Sequence, residues 1–143
     1  MSERGSWLQA RAAGRDLLIS MLDLREVVDP MPVCPLPGSS RGIAGLVIHH
    51  GEFLPVLDWG GFPGCQGGGE PPVALAVLRF RLGLPLDWMG GTLDLGAEAW
   101  RETPAEDPWA PWVDAVARVG DRDLPRLDLD RLIGLLRQFR DER

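Results

Sequence analysis

The side chains best suited to chemistry in this sequence are two adjacent histidines, His49 and His50, and two cysteines, Cys34 and Cys65. Imidazoles and thiolates are common zinc ligands, and both can act as bases or nucleophiles. Successive residues of a strand face opposite sides of a sheet, so the two imidazoles are not expected to reach one metal ion. The cysteines lie 31 positions apart without a Cys-x-x-Cys pair, which favours free thiols over a disulfide or a shared metal ion. The pattern predicts a protein with no catalytic residue and no metal ligand.

The composition is that of a compact globular domain. Of the 143 residues, 45% are hydrophobic and 25% are charged, a balance typical of a chain that buries a core. The formal charge of −6 argues against binding to nucleic acid or to anionic lipid surfaces. All 15 cationic residues are arginine, which excludes lysine chemistry. Since no apolar run approaches the roughly 20 residues of a membrane span and no apolar leader is present, we expect a cytoplasmic protein without direct membrane insertion.

Short apolar segments between 18 glycines and 13 prolines are typical of strands. The predicted strand pairs are 7–11 with 16–19, 43–49 with 53–58, 73–80 with 82–86, and 113–119 with 124–127. We further expect a short helical turn over 21–28, an extended segment over 30–38 and a flexible connection over 60–72. Apolar residues at near 3.6 spacing after the N-cap residue Asp128 predict a C-terminal helix.

Residues 100–112 form a stretch rich in proline and tryptophan, which includes Trp100, Trp109 and Trp112. Tryptophan is enriched at the centres of protein interfaces, so these rings could anchor a partner. They could equally pack a long loop onto the domain. The sequence leaves both alternatives open.

An internal repeat organises the chain into two similar halves. The pattern Leu-Pro-x-Leu-Asp at residues 54–58 recurs at residues 124–128, an offset of 70. Upstream, the Leu-Asp pair at 22–23 recurs at 86–87, an offset of 64 in the same order. A chance match is the alternative to duplication. Halves of about 65 residues are marginal alone, so we expect them to share a core.

With these residues in view, the sequence resembles the CheW-like family of chemotaxis coupling proteins. The resemblance lies in the Glu-Val-Val signature at 26–28, the Pro-Leu-Pro-Gly segment at 35–38 and the hairpin at 45–58. It implies a mostly β fold with two small five-stranded SH3-like barrels packed together and a C-terminal helix over 128–140. The whole of 1–143 would be one CheW-like domain, with one subdomain at about 16–60 and another at about 73–127 that share strands.

The resemblance also implies a non-catalytic adapter without a cofactor, which couples the cytoplasmic tip of chemoreceptors to the regulatory domain of a CheA-like histidine kinase, in chemotaxis or pilus motility. The residues that would contact these proteins are Glu26, Val27, Val28, Gly45, His50 and Gly51. His50 stands where the family has an arginine, and it lacks the permanent charge and planar fork of donors of that side chain. The alternative is therefore a divergent scaffold that acts outside classical chemotaxis.

Overall fold

The computed structural model describes residues 5–36, 41–65 and 71–141, which form eleven strands, one α-helix and two 3-10 helices. The strands of the first half are β1 (Gly5–Ala12), β2 (Arg15–Ser20), β3 (Leu24–Val28), β4 (Ile43–His49) and β5 (Glu52–Leu57). Those of the second half are β6 (Ala74–Leu78), β7 (Leu82–Leu86), β8 (Trp88–Leu95), β9 (Trp100–Glu102), β10 (Val113–Val119) and β11 (Arg122–Leu127). The helix α1 spans Leu129–Asp141, and the 3-10 helices span Trp59–Gly61 and Ala97–Ala99.

These strands are arranged in two sheets. One sheet has the strand order β8-β1-β2-β11-β10-β9, and the other has the order β3-β6-β7-β5-β4. Neighbouring strands are antiparallel except β2 with β11 and β5 with β7, which are parallel. The four predicted strand pairs are all present, as β1–β2, β4–β5, β6–β7 and β10–β11. The predicted fold class is confirmed, and β9 gives the first sheet a sixth strand.

The two halves exchange hairpins between the sheets. The β6–β7 hairpin of the second half lies beside β5 and β4, whereas β1–β2 of the first half lies beside β11 and β10. The internal repeat is visible in the pairing, because β4–β5 shifts register after Ile43 and β10–β11 shifts register after Val113, 70 residues later (113 − 43). Each sheet is therefore built from both halves, as expected for halves that are too small to be stable alone. The subdomain bounds of about 16–60 and 73–127 stay a prediction.

Buried aromatic rings at the centre of the main core explain the tryptophan-rich stretch. Trp59 and Trp109 stack with ring centroids 5.6 Å apart and 5° between their planes. Trp112 is completely buried beside them, and Trp100 packs edge-on against Trp7 with centroids 5.0 Å apart. Of the two alternatives for these rings, packing of the loop onto the domain is the one that the structure shows.

An ion pair anchors the same loop to β2. The guanidinium of Arg15 donates hydrogen bonds of 2.6 and 2.5 Å to the two carboxylate oxygens of Asp107. It also lies 4.8 Å from the ring centroid of Trp109. The hydrogen bonds from Arg15 hold the pKa of Asp107 below its ordinary value. The pair therefore stays charged at neutral pH and joins the loop to the sheet.

The predicted helical turn over 21–28 is wrong, because this segment contains β3. Residues 21–23 form a turn, after which β3 pairs antiparallel with β6, with Val27 opposite Ala76 and Val28 opposite Leu75. Both valines are β-branched and suit a half-buried strand better than a helix. Pairing with β6 therefore makes this segment a strand, although its first residues are compatible with either a helix or a strand.

Two strands, β8 and β9, were not predicted. β8 contains the adjacent glycines Gly90 and Gly91, which interrupt the apolar alternation by which strands are recognised. The predicted flexible connection over 60–72 is structured at its beginning, where a 3-10 helix is followed by the buried ring of Phe62, and its residues 66–70 lie outside the described residues. The expected extended segment over 30–38 pairs with β4 through Cys34, and its residues 37–38 lie outside the described residues.

The C-terminal helix is confirmed. The carboxylate of Asp128 accepts a hydrogen bond of 3.1 Å from the backbone N–H of Arg131, as an N-cap does. Leu129, Leu132 and Phe139 are buried on the face that packs against the main core. Among the described residues, no helix is long and apolar enough to cross a membrane.

Candidate protein-interaction site

The candidate site forms where the two edges of the five-stranded sheet approach each other. β3 and β4 are the edge strands of this sheet, and in a flat sheet four strand spacings would separate them by about 19 Å. Nevertheless, Oε1 of Glu26 on β3 lies 2.8 Å from Nε2 of His50, which directly follows β4. The sheet therefore curls around a core of its own, whose buried residues are Val47, Leu54, Val56, Leu75 and Val77.

The carboxylate of Glu26 contacts the imidazoles of both histidines. Nε2 of His49 also contacts Oε1 of Glu26, and the two imidazole centroids are 4.0 Å apart. The hydrogen bond from His50, followed by the one from His49, holds the pKa of Glu26 below its ordinary value. The side chain of His49 is only 15% exposed, whereas that of His50 is 75% exposed. The site thus has a positioned carboxylate–imidazole cluster, with one ring half-buried and the other presented to solvent.

The expectation that the two histidines face opposite sides is wrong, and the backbone gives the reason. His50 is not a strand residue but the first residue of the β4–β5 turn, with a φ of 50°. This left-handed conformation breaks the strict alternation of side chains along the strand. The ring of His50 therefore lies beside that of His49.

A groove of about 480 Å³ opens beside the cluster and is lined in part by Arg25, Arg79 and Arg81. Nε of Arg79 donates a hydrogen bond of 2.7 Å to Asp23, and Arg81 lies 3.1 Å from a carboxylate oxygen of Glu52. Because Glu26 and Glu52 line the same groove, guanidiniums and carboxylates lie side by side there, and the groove can exchange ion pairs with charged groups of another molecule.

The structure places the remaining predicted contact residues in different roles. Val27 and Val28 are half-buried and pack against the two cores, so their side chains contribute to packing. Gly51 is exposed in the turn with a φ of 76°. Gly45 is buried at the β4 register shift, where an added Cβ would lie 2.2 Å from the carbonyl oxygen of Cys34. The structure thus brings Glu26 and His50 together, with Gly51 next to them, and gives Gly45 a packing role.

Sequence reasoning missed the apolar part of this surface. Ile48 and Phe53 are cross-strand partners on the β4–β5 hairpin, and they are 66% and 65% exposed. The signal was present in the alternation of β4, where the buried Val47 is followed by an outward-facing isoleucine. By alternation the two exposed side chains lie on the face of the hairpin opposite to His49 and Leu54, and exposed apolar side chains of this kind are typical of protein-interaction sites.

Two sheets, of which the five-stranded one curls and carries an exposed apolar and charged hairpin at its edge, define the class: a β-rich protein-interaction domain. The family model for the CheW-like domain matches residues 6–137, and the chain therefore belongs to the CheW-like family. Among solved structures, the chain is similar to the scaffolding protein TtCheW from Thermoanaerobacter tengcongensis, with a TM-score of 0.77 and 17% sequence identity. That similarity covers 87% of this chain and 84% of TtCheW, and it shows the shared fold. A sequence search of curated proteins finds no match.

Proposed function

We propose that this protein is a non-catalytic adapter that couples chemoreceptors to a CheA-like histidine kinase, in chemotaxis or pilus motility. The observation that carries the proposal is the match of the CheW-like family model to nearly the whole chain. The similar protein TtCheW is itself a scaffolding protein. The adapter acts in the cytoplasm, binds the regulatory domain of the kinase and the cytoplasmic tip of the receptor, and needs neither nucleic acid nor insertion into a membrane.

The proposed contact surface is the curled edge of the five-stranded sheet. Of the predicted contact residues, Glu26, His50 and Gly51 form this surface, whereas Val27, Val28 and Gly45 support it through packing. The exposed pair Ile48 and Phe53 extends it with apolar area. Burial of these two side chains on association supplies the hydrophobic contribution, and the charged side chains of the groove supply electrostatic complementarity.

One observation favours the alternative, a scaffold that acts outside classical chemotaxis. Glu26 and His50 stand at the two positions where the resemblance implies charged contacts, and here they contact each other. A carboxylate already satisfied within the chain gains less from a partner than a free one does. The surface could therefore serve a partner whose chemistry differs from that of the usual kinase or receptor.

A calorimetric titration against the regulatory domain of the CheA-like kinase from the same organism tests the proposal. The informative variant is His50→Arg, which restores the permanent charge expected at this turn. The matched control is Asp121→Asn, which also adds one positive unit to an exposed hairpin turn but lies between β10 and β11.

Binding in the micromolar range that changes in His50→Arg and not in Asp121→Asn is the expected result. Equal changes in both variants would indicate a general charge effect and would remove the hairpin from the contact surface. If neither the wild type nor His50→Arg binds the regulatory domain, the coupling proposal is wrong and the alternative scaffold takes its place.

A further inference from the structure

The Glu26–His49–His50 cluster has the ligand types and the spacing of a transition-metal site. Each of the three residues offers one ligand atom, and these atoms all lie within 4.8 Å of one another. Bond lengths of 2.0–2.2 Å from zinc to nitrogen or oxygen place the ligand atoms of one tetrahedral ion about 3.3 Å apart. Small side-chain rotations therefore suffice to bring the three atoms onto a single ion.

We propose that this cluster binds one Zn²⁺ ion through Nε2 of His49, Nε2 of His50 and a carboxylate oxygen of Glu26. Two imidazoles and one carboxylate favour a borderline-soft transition metal over Mg²⁺ or Ca²⁺, which take oxygen ligands. Three protein ligands leave the fourth tetrahedral position to water. The ion would take the place of the Nε2 protons that otherwise point at the shared carboxylate oxygen. Both imidazoles must therefore be neutral when the ion binds.

The surroundings make the site partly preorganised. The left-handed φ of 50° at His50 fixes the convergence of the two rings, and the half-buried ring of His49 has little freedom to turn away. The guanidiniums of Arg79 and Arg81 repel a cation only weakly, because Arg79 pairs with Asp23 and Arg81 pairs with Glu52. The bound ion would tie β3 to the end of β4, the two edges that close the curled sheet.

This inference does not rest on the adapter function, because metal binding is measured on the isolated chain. The experiment is a calorimetric titration of untagged protein with Zn²⁺ at pH about 7.5, near which neutral imidazole is the main form of an ordinary histidine. His50→Gln and Glu26→Gln each remove one ligand. Asp121→Asn is the charge control, since it removes one negative charge from an exposed turn outside the groove and no ligand of the cluster.

The thiols require their own control. Cys34 is exposed and could bind zinc, so Cys34→Ser is titrated in parallel. Burial raises the pKa of Cys65 to about 11, which keeps this thiol protonated and a poor ligand under the same conditions. Thermal unfolding with and without Zn²⁺ gives a second readout, because an ion that ties two edge strands together raises the melting temperature.

We expect one Zn²⁺ per chain, with affinity at least about tenfold weaker in His50→Gln and Glu26→Gln and unchanged in Asp121→Asn and Cys34→Ser. Mg²⁺ should give no binding heat. Lack of one-to-one binding by the wild type, unchanged affinity in His50→Gln, or loss of binding in Cys34→Ser would each overturn the proposal. Because His50 is an exposed turn residue, its variant stays informative even if Glu26→Gln impairs folding.

Discussion

Replacing Gly45 with alanine should destabilise the protein by about 3 kcal/mol, because the new methyl group has no room in the curled sheet. An added Cβ would lie 2.2 Å from the carbonyl oxygen of Cys34 and 2.9 Å from Cγ1 of Val33. The backbone of Cys34 cannot move away from the new methyl group without breaking the two backbone hydrogen bonds, 2.8 and 3.0 Å long, that it exchanges with Leu46. The backbone of Gly45, with a φ of 153°, is also one that residues with a Cβ rarely adopt.

The magnitude follows from these contacts. Loss of the two hydrogen bonds costs about 2 kcal/mol at roughly 1 kcal/mol each. Residual overlap adds at least about 1 kcal/mol, the lower end of the usual cost of overpacking. Gly51→Ala is the matched control, because Gly51 also has a positive φ, 76°, but an added Cβ meets no atom within 4 Å. Its expected cost is about 1 kcal/mol of backbone strain, partly offset by the reduced entropy of the unfolded chain.

Urea unfolding followed by tryptophan fluorescence measures both variants. With a slope of about 2 kcal/mol per molar urea, the midpoint should fall by about 1.5 M in Gly45→Ala and by at most about 0.5 M in Gly51→Ala. Equal shifts in the two variants would refute the steric argument, since strain alone would then account for both. If the prediction holds, weaker partner binding by Gly45→Ala reflects loss of the fold and does not identify Gly45 as a contact.

Other predictions concern the anchored tryptophan loop. Asp107→Asn should lower the free energy of unfolding by about 2 kcal/mol, measured in urea at pH 7, because two charge-assisted hydrogen bonds from Arg15 are lost. Arg15 holds the pKa of Asp107 low, so this pair stabilises the protein above the ordinary carboxyl pKa of about 3.9 and the contribution is lost as pH falls below that value. Wild type should therefore lose more stability than Asp107→Asn between about pH 5 and 3, and parallel losses would contradict this. Trp109→Ala should cost about 3–5 kcal/mol, whereas Trp88→Ala, at an exposed ring, should cost much less in the same urea assay.

The hairpins could be predicted because their residues specify both the strands and the turns. In β4–β5, apolar alternation ends at the His50-Gly51 turn and resumes with Leu54, so local sequence and structure agree. For β3, the residues before Val27 are compatible with a helix, and only pairing with β6 makes the segment a strand. This partner is distant in sequence, and single-sequence patterns do not reveal it.

The cluster at the site could be predicted only in part. The resemblance pointed to Glu26 and His50, but alternation along a strand placed His49 and His50 on opposite faces. The left-handed turn conformation of His50 overrode that rule. The contact with Glu26 further depends on the curl of the sheet, which results from its core and from the pairing of Cys34 with Leu46.

The exchange of hairpins explains how the Glu26–His49–His50 cluster, made only of first-half residues, depends on the second half. Within the described residues β3 borders one strand, β6, while β5 borders β7 on the side away from β4. The β6–β7 hairpin therefore separates Glu26 from the β4–β5 turn along the sheet, and its twist sets how closely the two edges approach. Leu75 and Val77 of β6 also fill the core inside the curl. The second half can thus control the geometry of the cluster through packing, without contributing a ligand atom to it.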